Sequence, residues 1–274
     1  MHINTKMFLD YNPIQGKVAD VRAYKTRQPL PPLNRWVQSF WQLTVPKGQF
    51  QYHSVPDNCV DWIVNLDRFD DNFLIPPFLT STLFHIDGPA SFFGIRFRIL
   101  GHKGLISVPL GEWGEAGSVK TEDLLSSDTV YSVFEVIDKV KGFDKRCNSL
   151  SAIILSAITV ADIDPRLARY IRYCYKNVSS KRDLSDSQSS EFGVSSRQLR
   201  RLAKQHVGLL PKDFRKVLRF QSALKAMNAP QPNKAYLDHY YDQPHFVREF
   251  KRLSGVTPTQ FRKMSVLYNH YSSE

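Results

Sequence analysis

The sequence predicts an α+β chain in two parts, a β-rich segment followed by helices over residues 1–164 and a helical, basic segment over residues 165–274. Three observations carry that division. Aromatic and β-branched runs separated by Pro and Gly dominate the first hundred residues, and helical periodicity replaces them after Trp113. Charge divides in the same place: residues 1–164 hold 16 Lys/Arg and 18 Asp/Glu, whereas residues 165–274 hold 21 and 8, so a net of −2 precedes a net of +13. Finally, the sequence Gly, two residues, Pro occurs twice behind a basic amphipathic stretch, at Gly208–Pro211 and Gly255–Pro258.

The first strand expected is Trp36–Val45, entered through Pro29-Leu30-Pro31-Pro32 and ended by a turn at Pro46-Lys47-Gly48. A second is Cys59–Leu66, entered through Pro56-Asp57-Asn58. The third, Ser91–Ile99, alternates Phe93, Ile95 and Phe97 with Gly94, Arg96 and Arg98, a period of two that places apolar groups on one face and arginines on a solvated one. Several such strands at short spacing imply a barrel or sandwich. Thr121-Glu122-Asp123 can cap a helix through Leu124, Phe134 and Val140, with Ser126-Ser127-Asp128 able to break it; Ser149–Val160 is a second helix, and Asp164-Pro165 supplies an N-cap and first-turn proline for a third through Leu167, Ile171 and Cys174. Asn177–Ser190 reads as a loop around a short helix.

In the basic third, Phe192-Gly193-Val194-Ser195 provides a turn glycine and a capping serine for a helix from Arg197 to Val207, which Gly208 closes. Leu199 and Leu202 point inward, while Arg197, Arg200, Arg201 and Lys204 form an outward stripe. A tight turn followed by a capped basic helix describes a helix-turn-helix. Pro211 starts a longer helix through Phe214, Val217, Leu218, Phe220, Leu224 and Met227, with Lys212, Arg215, Lys216, Arg219 and Lys225 on its polar sides. In the last unit Phe246, Phe250 and Leu253 fall at i, i+4 and i+7 and share one face, which leaves Gln243, His245, Arg248 and Lys251 for a partner.

Other chemistry is less well served. Cys59, Cys147 and Cys174 are odd in number and widely spaced, so buried thiols are expected rather than a disulfide framework or zinc site. His53, His85 and His102 lack close metal-ligand spacing and are read as surface or hydrogen-bonded groups. Asp57 and Asp61 read as a turn and a strand-edge aspartate rather than an acid/base pair, and Gly101, Gly104, Gly111, Gly114 and Gly117 do not form a phosphate-cradling loop. Trp36, Trp41 and Trp62 are assigned to core packing in preference to a ligand cavity. No cofactor and no catalytic residue are assigned. The N-terminus shows no secretory pattern and the apolar run Ile153–Ala161 is too short for a membrane span, so a cytoplasmic protein without membrane contact is expected.

The tandem pattern, above all Tyr241-Asp242-Gln243-Pro244-His245-Phe246-Val247-Arg248-Glu249-Phe250-Lys251, resembles the DNA-binding domain of AraC/XylS transcription regulators over about residues 183–262. Pro56-Asp57-Asn58-Cys59-Val60-Asp61 and Phe93-Gly94-Ile95-Arg96-Phe97 are similar to the N-terminal domain of one branch of that family. The resemblance implies a cupin-like β-barrel domain with following helices, then an all-α domain of two helix-turn-helix units joined by a long helix. It implies base reading by Ser196, Arg197, Arg200 and Arg201 in the first unit and by Gln243, Pro244, His245, Val247 and Arg248 in the second, with Lys204, Lys251 and Arg252 on phosphates. Double-stranded DNA is the partner it implies, together with a small-molecule effector or homodimerisation through the N-terminal domain and residues 121–160, contact with RNA polymerase, and activation. Gln188, Ser189, Lys234 and His239 depart from the family pattern at supporting positions, where polar groups cost stability unless they reach solvent or a partner. Two rival classes stand beside this reading: an interaction module with degenerate helix-turn-helix units, and a barrel-domain enzyme with accessory DNA binding.

Overall fold

The computed structural model describes residues 10–15, 18, 23–113, 117–159, 163–178, 186–229 and 235–269. Its β part consists of β1 (Tyr24–Arg27), β2 (Val37–Ser54), β3 (Val60–Asn65), β4 (Asn72–Ile75), β5 (Thr82–Phe97) and β6 (Val119–Lys120), antiparallel in the order β1-β2-β5-β3-β4-β6. β2 and β5 pair along their whole length, from Val37↔Phe97 to Ser54↔Thr82. The turn expected at Pro46-Lys47-Gly48 is therefore absent; the segment is a β-bulge, with the register shifting between Val45 and Gly48. Proline has no N–H for the ladder, so the strand bends there and continues. The opposite strand accommodates the bend through Gly88, where a Cβ would lie 1.8 Å from the Pro46 carbonyl oxygen.

Both sheet faces are covered, which corrects the half-solvated sheet expected from alternation. Phe93, Ile95 and Phe97 join Phe40, Trp62 and Leu74 beneath two helices, α1 (Ser127–Lys139) and α2 (Phe143–Ala157). On the other face Trp41, Leu43 and Val45 form a smaller cluster, and Arg96 and Arg98 are 7% and 4% exposed rather than solvated. Residues from both halves of the bent β2–β5 ribbon, including Trp41 and Leu43 before the bulge and Tyr52 and Phe84 beyond it, enclose one cavity of about 220 Å³ on that face. Trp62 is core as expected, and Trp41 both packs in the smaller cluster and lines the cavity.

Helix α1 starts after the serine break, with the Ser126 hydroxyl accepting from the Thr129 N–H; residues Thr121–Asp123 form only a 3-10 turn. Helix α2 starts earlier than expected because Phe143, Cys147, Leu150 and Ile154 make a continuous buried stripe. It also ends earlier than the expected Val160, at Ala157, where Ile158 turns to an extended conformation.

The helical part contains α3 (Pro165–Lys176), α4 (Ser196–Val207), α5 (Pro211–Met227), α6 (Gln243–Ser254) and α7 (Pro258–Lys263). Asp164 caps α3 by accepting from the Arg166 N–H. Helix α5 joins two cores: Phe214, Val217 and Leu218 pack with α3 and α4, while Phe220, Ala223, Leu224 and Met227 pack with α6 and α7. Because α5 is enclosed on most sides, Arg215 and Arg219, expected on polar faces, are each only 8% exposed.

The two parts pack against each other. Tyr11, Cys59, Ile99 and Leu100 enter the core of the first helical unit, and Val55 enters that of the second. Gln221 on α5 donates to the Pro56 carbonyl at 2.6 Å and accepts from the Ile14 N–H, and Asn58 donates to the Phe214 carbonyl. After α7 the chain returns as β7 (Leu267–Asn269), which pairs with Phe50–Tyr52 of β2. All three cysteines are free and buried. Among the described residues no helix is long and apolar enough to cross a membrane, and no His/Cys/Asp/Glu group has a metal-holding arrangement.

Candidate nucleic-acid interface

Helices α4 and α6 are built alike. Each opens on a side-chain cap, Ser195 accepting from the Gln198 N–H at 3.2 Å and Asp242 from the His245 N–H at 2.6 Å. Each closes on a glycine at φ 77°, the left-handed conformation that costs a residue without Cβ nothing. These glycine N–H groups return to Lys204 and Lys251 carbonyls respectively. Neither helix carries an acidic residue in its first turn, but the N-cap differs: the neutral Ser195 leaves the positive end of the α4 dipole uncompensated, whereas the Asp242 carboxylate already sits on that of α6.

Burial separates the inner and outer faces. Leu199, Leu202, Ala203 and Val207 are buried on α4, and Phe246, Phe250 and Leu253 on α6. Arg197, Arg200, Arg201 and Lys204 are exposed on α4, as are Gln243, Pro244, Arg248, Lys251 and Arg252 on α6. Ser196, His245 and Val247 are half-buried. The structure therefore brings the sequence-derived residues together as one stripe on each of two helices. Some are already engaged within the chain: Ser196 Oγ lies 2.9 Å from Ser189 Oγ, Arg201 reaches Gln205, Lys204 Nζ donates to the Gly208 carbonyl, and His245 Nδ1 accepts from the Tyr241 N–H.

The supporting elements are short. A 3-10 helix, Asp186–Phe192, precedes the α4 turn, and another, Ala235–His239, precedes α6. Ser189 is buried, and its hydroxyl is satisfied by Ser196. His239 is half-buried with Nδ1 unpartnered among the described residues, and burial lowers its pKa. The Gln188 side chain and Lys234 lie outside the described residues.

Several polar groups around the helices and the sheet are internal. Glu249 is 8% exposed, accepts from Arg219 Nη2 at 3.3 Å to each oxygen, and has His245 Nε2 at 3.8 Å. Arg219 in turn lies over the Tyr240 ring, 5.8 Å from its centroid. Burial, then Glu249, raises the Tyr240 hydroxyl pKa. The signal was present in the heptad: Glu249 shares the inward side with Phe246 and Leu253 at i+3 and i+4. Of the two readings given for them, surface or hydrogen-bonded, His53 and His102 are not surface groups: both are buried, with Nδ1 unpartnered among the described residues; burial lowers His53 against a raising hydrogen bond at the Ser254 backbone, and brings His102 to about 3.

A second candidate feature lies in the β part. Arg96 meets Asp61 through Nε and Nη2, at 3.0 and 2.9 Å, and Asp57 through Nη1 at 3.3 Å. Trp41 Nε1 donates to Asp61 at 3.0 Å, while the Cys59 N–H and Gln15 donate to Asp57. Asp61 sits on an interior strand between β5 and β4, not at a strand edge. Asp57 is raised by burial, against the lowering pull of Arg96. Asp61 and Arg96 line the polar side of the 220 Å³ cavity, opposite Tyr52, Phe73, Phe84 and Phe92.

A family model described as a helix-turn-helix domain matches residues 188–264, and one described as a domain of unknown function (DUF6597) matches residues 25–117. No curated protein sequence matches the chain. Among solved structures the chain is similar to ToxT from Vibrio cholerae, at 10% identity and a TM-score of 0.45 over 89% of this chain and 99% of that one. An unsaturated fatty acid-bound ToxT gives 10% identity and 0.42 over 88% and 92%. ToxT bound to (E)-4-(8-methylnaphthalen-1-yl)but-3-enoic acid gives 8% identity and 0.43 over 92% and 99%.

Proposed function

We propose that the chain is a sequence-specific transcription regulator of the AraC/XylS kind that reads two successive major-groove faces of one duplex and activates transcription, a reading supported by the helix-turn-helix family match over residues 188–264. One observation carries this reading: α4 and α6 share the same cap-to-glycine construction and each presents an exposed basic stripe on its outer face. Arg197, Arg200, Arg201 and Arg248 donate to guanine O6 and N7, Gln243 pairs with adenine, and Ser196, Pro244, His245 and Val247 complete the base-facing surface. Lys204, Lys251 and Arg252 hold phosphates, which set affinity and salt dependence. The aromatic cavity beside Asp61 and Arg96 accepts a small effector, and α1 and α2, with Tyr131 and Leu155 exposed at 71% and 37%, form the dimer surface.

The test is selection of bound fragments from the source genome with the wild-type protein and with Arg197→Ala and Arg248→Ala. Each change is expected to weaken specific sites by about 1–3 kcal/mol while leaving nonspecific binding closer to wild type. An equal loss on all DNA would remove these residues from base reading.

A further inference from the structure

The cleft between α5 and α6 contains a charge arrangement that the two reading stripes do not account for. Its volume is about 440 Å³. Lys212, Lys216 and Arg219 enter from α5 at i, i+4 and i+7, so they form one stripe; His245, Arg248 and Arg252 face them from α6 at i, i+3 and i+7. Glu249 is the acidic residue lining the cleft, and it is occupied by Arg219. Lys216 pairs with Asp213 at 2.7 Å, outside the lining, whereas Lys212, Arg248 and Arg252 form no ion pair among the described residues. The cleft is thus a concave cationic site continuous with the outer face of α6.

Helix diameter and groove width supply the occupant. A helix with its side chains is about 10–12 Å across and the major groove about 12 Å wide, so a duplex that receives α6 runs a phosphate backbone along each flank of that helix. The flank facing α5 opens onto this cleft. We infer that the cleft between α5 and α6 seats a backbone phosphate of the bound duplex, with Lys212 and Lys216 of the connecting helix closing on it from the side opposite Arg252, while Arg248 at the cleft's rim keeps its base-reading role. The inference rests on the proposed DNA-binding function and adds α5 to the contacting surface. It makes α5 a contributor to affinity rather than a spacer alone.

The experiment uses the full chain and a duplex selected by the wild-type protein, with binding followed by fluorescence anisotropy across a salt series. Lys212→Gln removes a cation without stranding a partner, and Lys212→Gln/Lys216→Gln removes both; matched thermal unfolding establishes that each variant folds. The expected result is a several-fold loss of affinity, a log–log salt slope shallower by about 0.9 for one lost phosphate contact, and an unchanged order of preference among base-substituted duplexes. A methylphosphonate scan, which neutralises one phosphate at a time, should find one position that weakens wild type but has no further effect on the double variant. An unchanged slope, an altered base preference, or losses that add at every scanned position would overturn the inference while leaving DNA binding intact. Failure of the wild-type protein to select any fragment would instead overturn the DNA-binding reading itself.

Discussion

Arg96 occupies a position that strict alternation assigns to solvent, yet it sits between two buried carboxylates. Its guanidinium offers a planar fork to Asp61 and a further N–H to Asp57, so each removed partner leaves charge behind in a poorly solvated place. Breaking a buried pair by deleting one member is far more costly than never having built it. Arg96→Met is therefore expected to destabilise the protein by about 3–5 kcal/mol in urea unfolding, and combining it with Asp57→Asn and Asp61→Asn should recover most of that loss. No recovery in the combined variant would mean that lost packing, not stranded charge, sets the cost. Glu249 and Arg219 repeat the lesson: both types are usually exposed, and both are buried here because each satisfies the other.

At the scale of elements, the capped basic helices α4 and α6 were the most legible parts of the chain. Cap, periodic face and closing glycine lie within a dozen or so consecutive residues, and their bonds are local: Ser195 to Gln198 and Asp242 to His245. Ser195→Ala and Asp242→Ala are each expected to cost about 1 kcal/mol, the usual worth of an N-cap, measured as a fall in thermal stability; Ser195→Asp and Asp242→Ser should restore it. The bounds of β2 and α2 were less legible. A Pro-Lys-Gly segment reads as a turn unless a partner strand continues past it, and β5 does so through the whole bulge. Lys145 and Arg146 obscure the start of α2 unless the buried Phe143–Ile154 stripe is known to meet a sheet. The α5–α6 cleft was illegible for a related reason, since its cations come from two helices that sequence treats as separate stripes.

For the whole molecule, the junction between the β part and the helices is a packed interior, not a tether. Residues from both parts share two cores, Gln221 bonds to Ile14 and Pro56, and β7 extends the sheet from the far end of the helical domain. Such shared burial predicts one cooperative unfolding transition by calorimetry, with calorimetric and van't Hoff enthalpies in agreement. Two resolved transitions would show the parts to be energetically independent. Gln221→Ala should lower the single transition by about 1–3 kcal/mol of stability, because the Ile14 N–H and Pro56 carbonyl lose their buried partner.

By itself the sequence determined what is local: the α+β division, the charge partition, the capped helices with their inward Leu and Phe faces, and the outward Arg stripes. Those features depend on residues three to seven positions apart, where helix and strand geometry dictate who shares a face. The tertiary structure alone decided which polar residues go inside. Arg96 finds Asp61 35 positions away, Arg219 finds Glu249 30 positions away, and Gln221 finds Pro56 165 positions away. A charge can be buried only when its partner is already in place, and that placement comes from the packing of distant elements rather than from the chain around it.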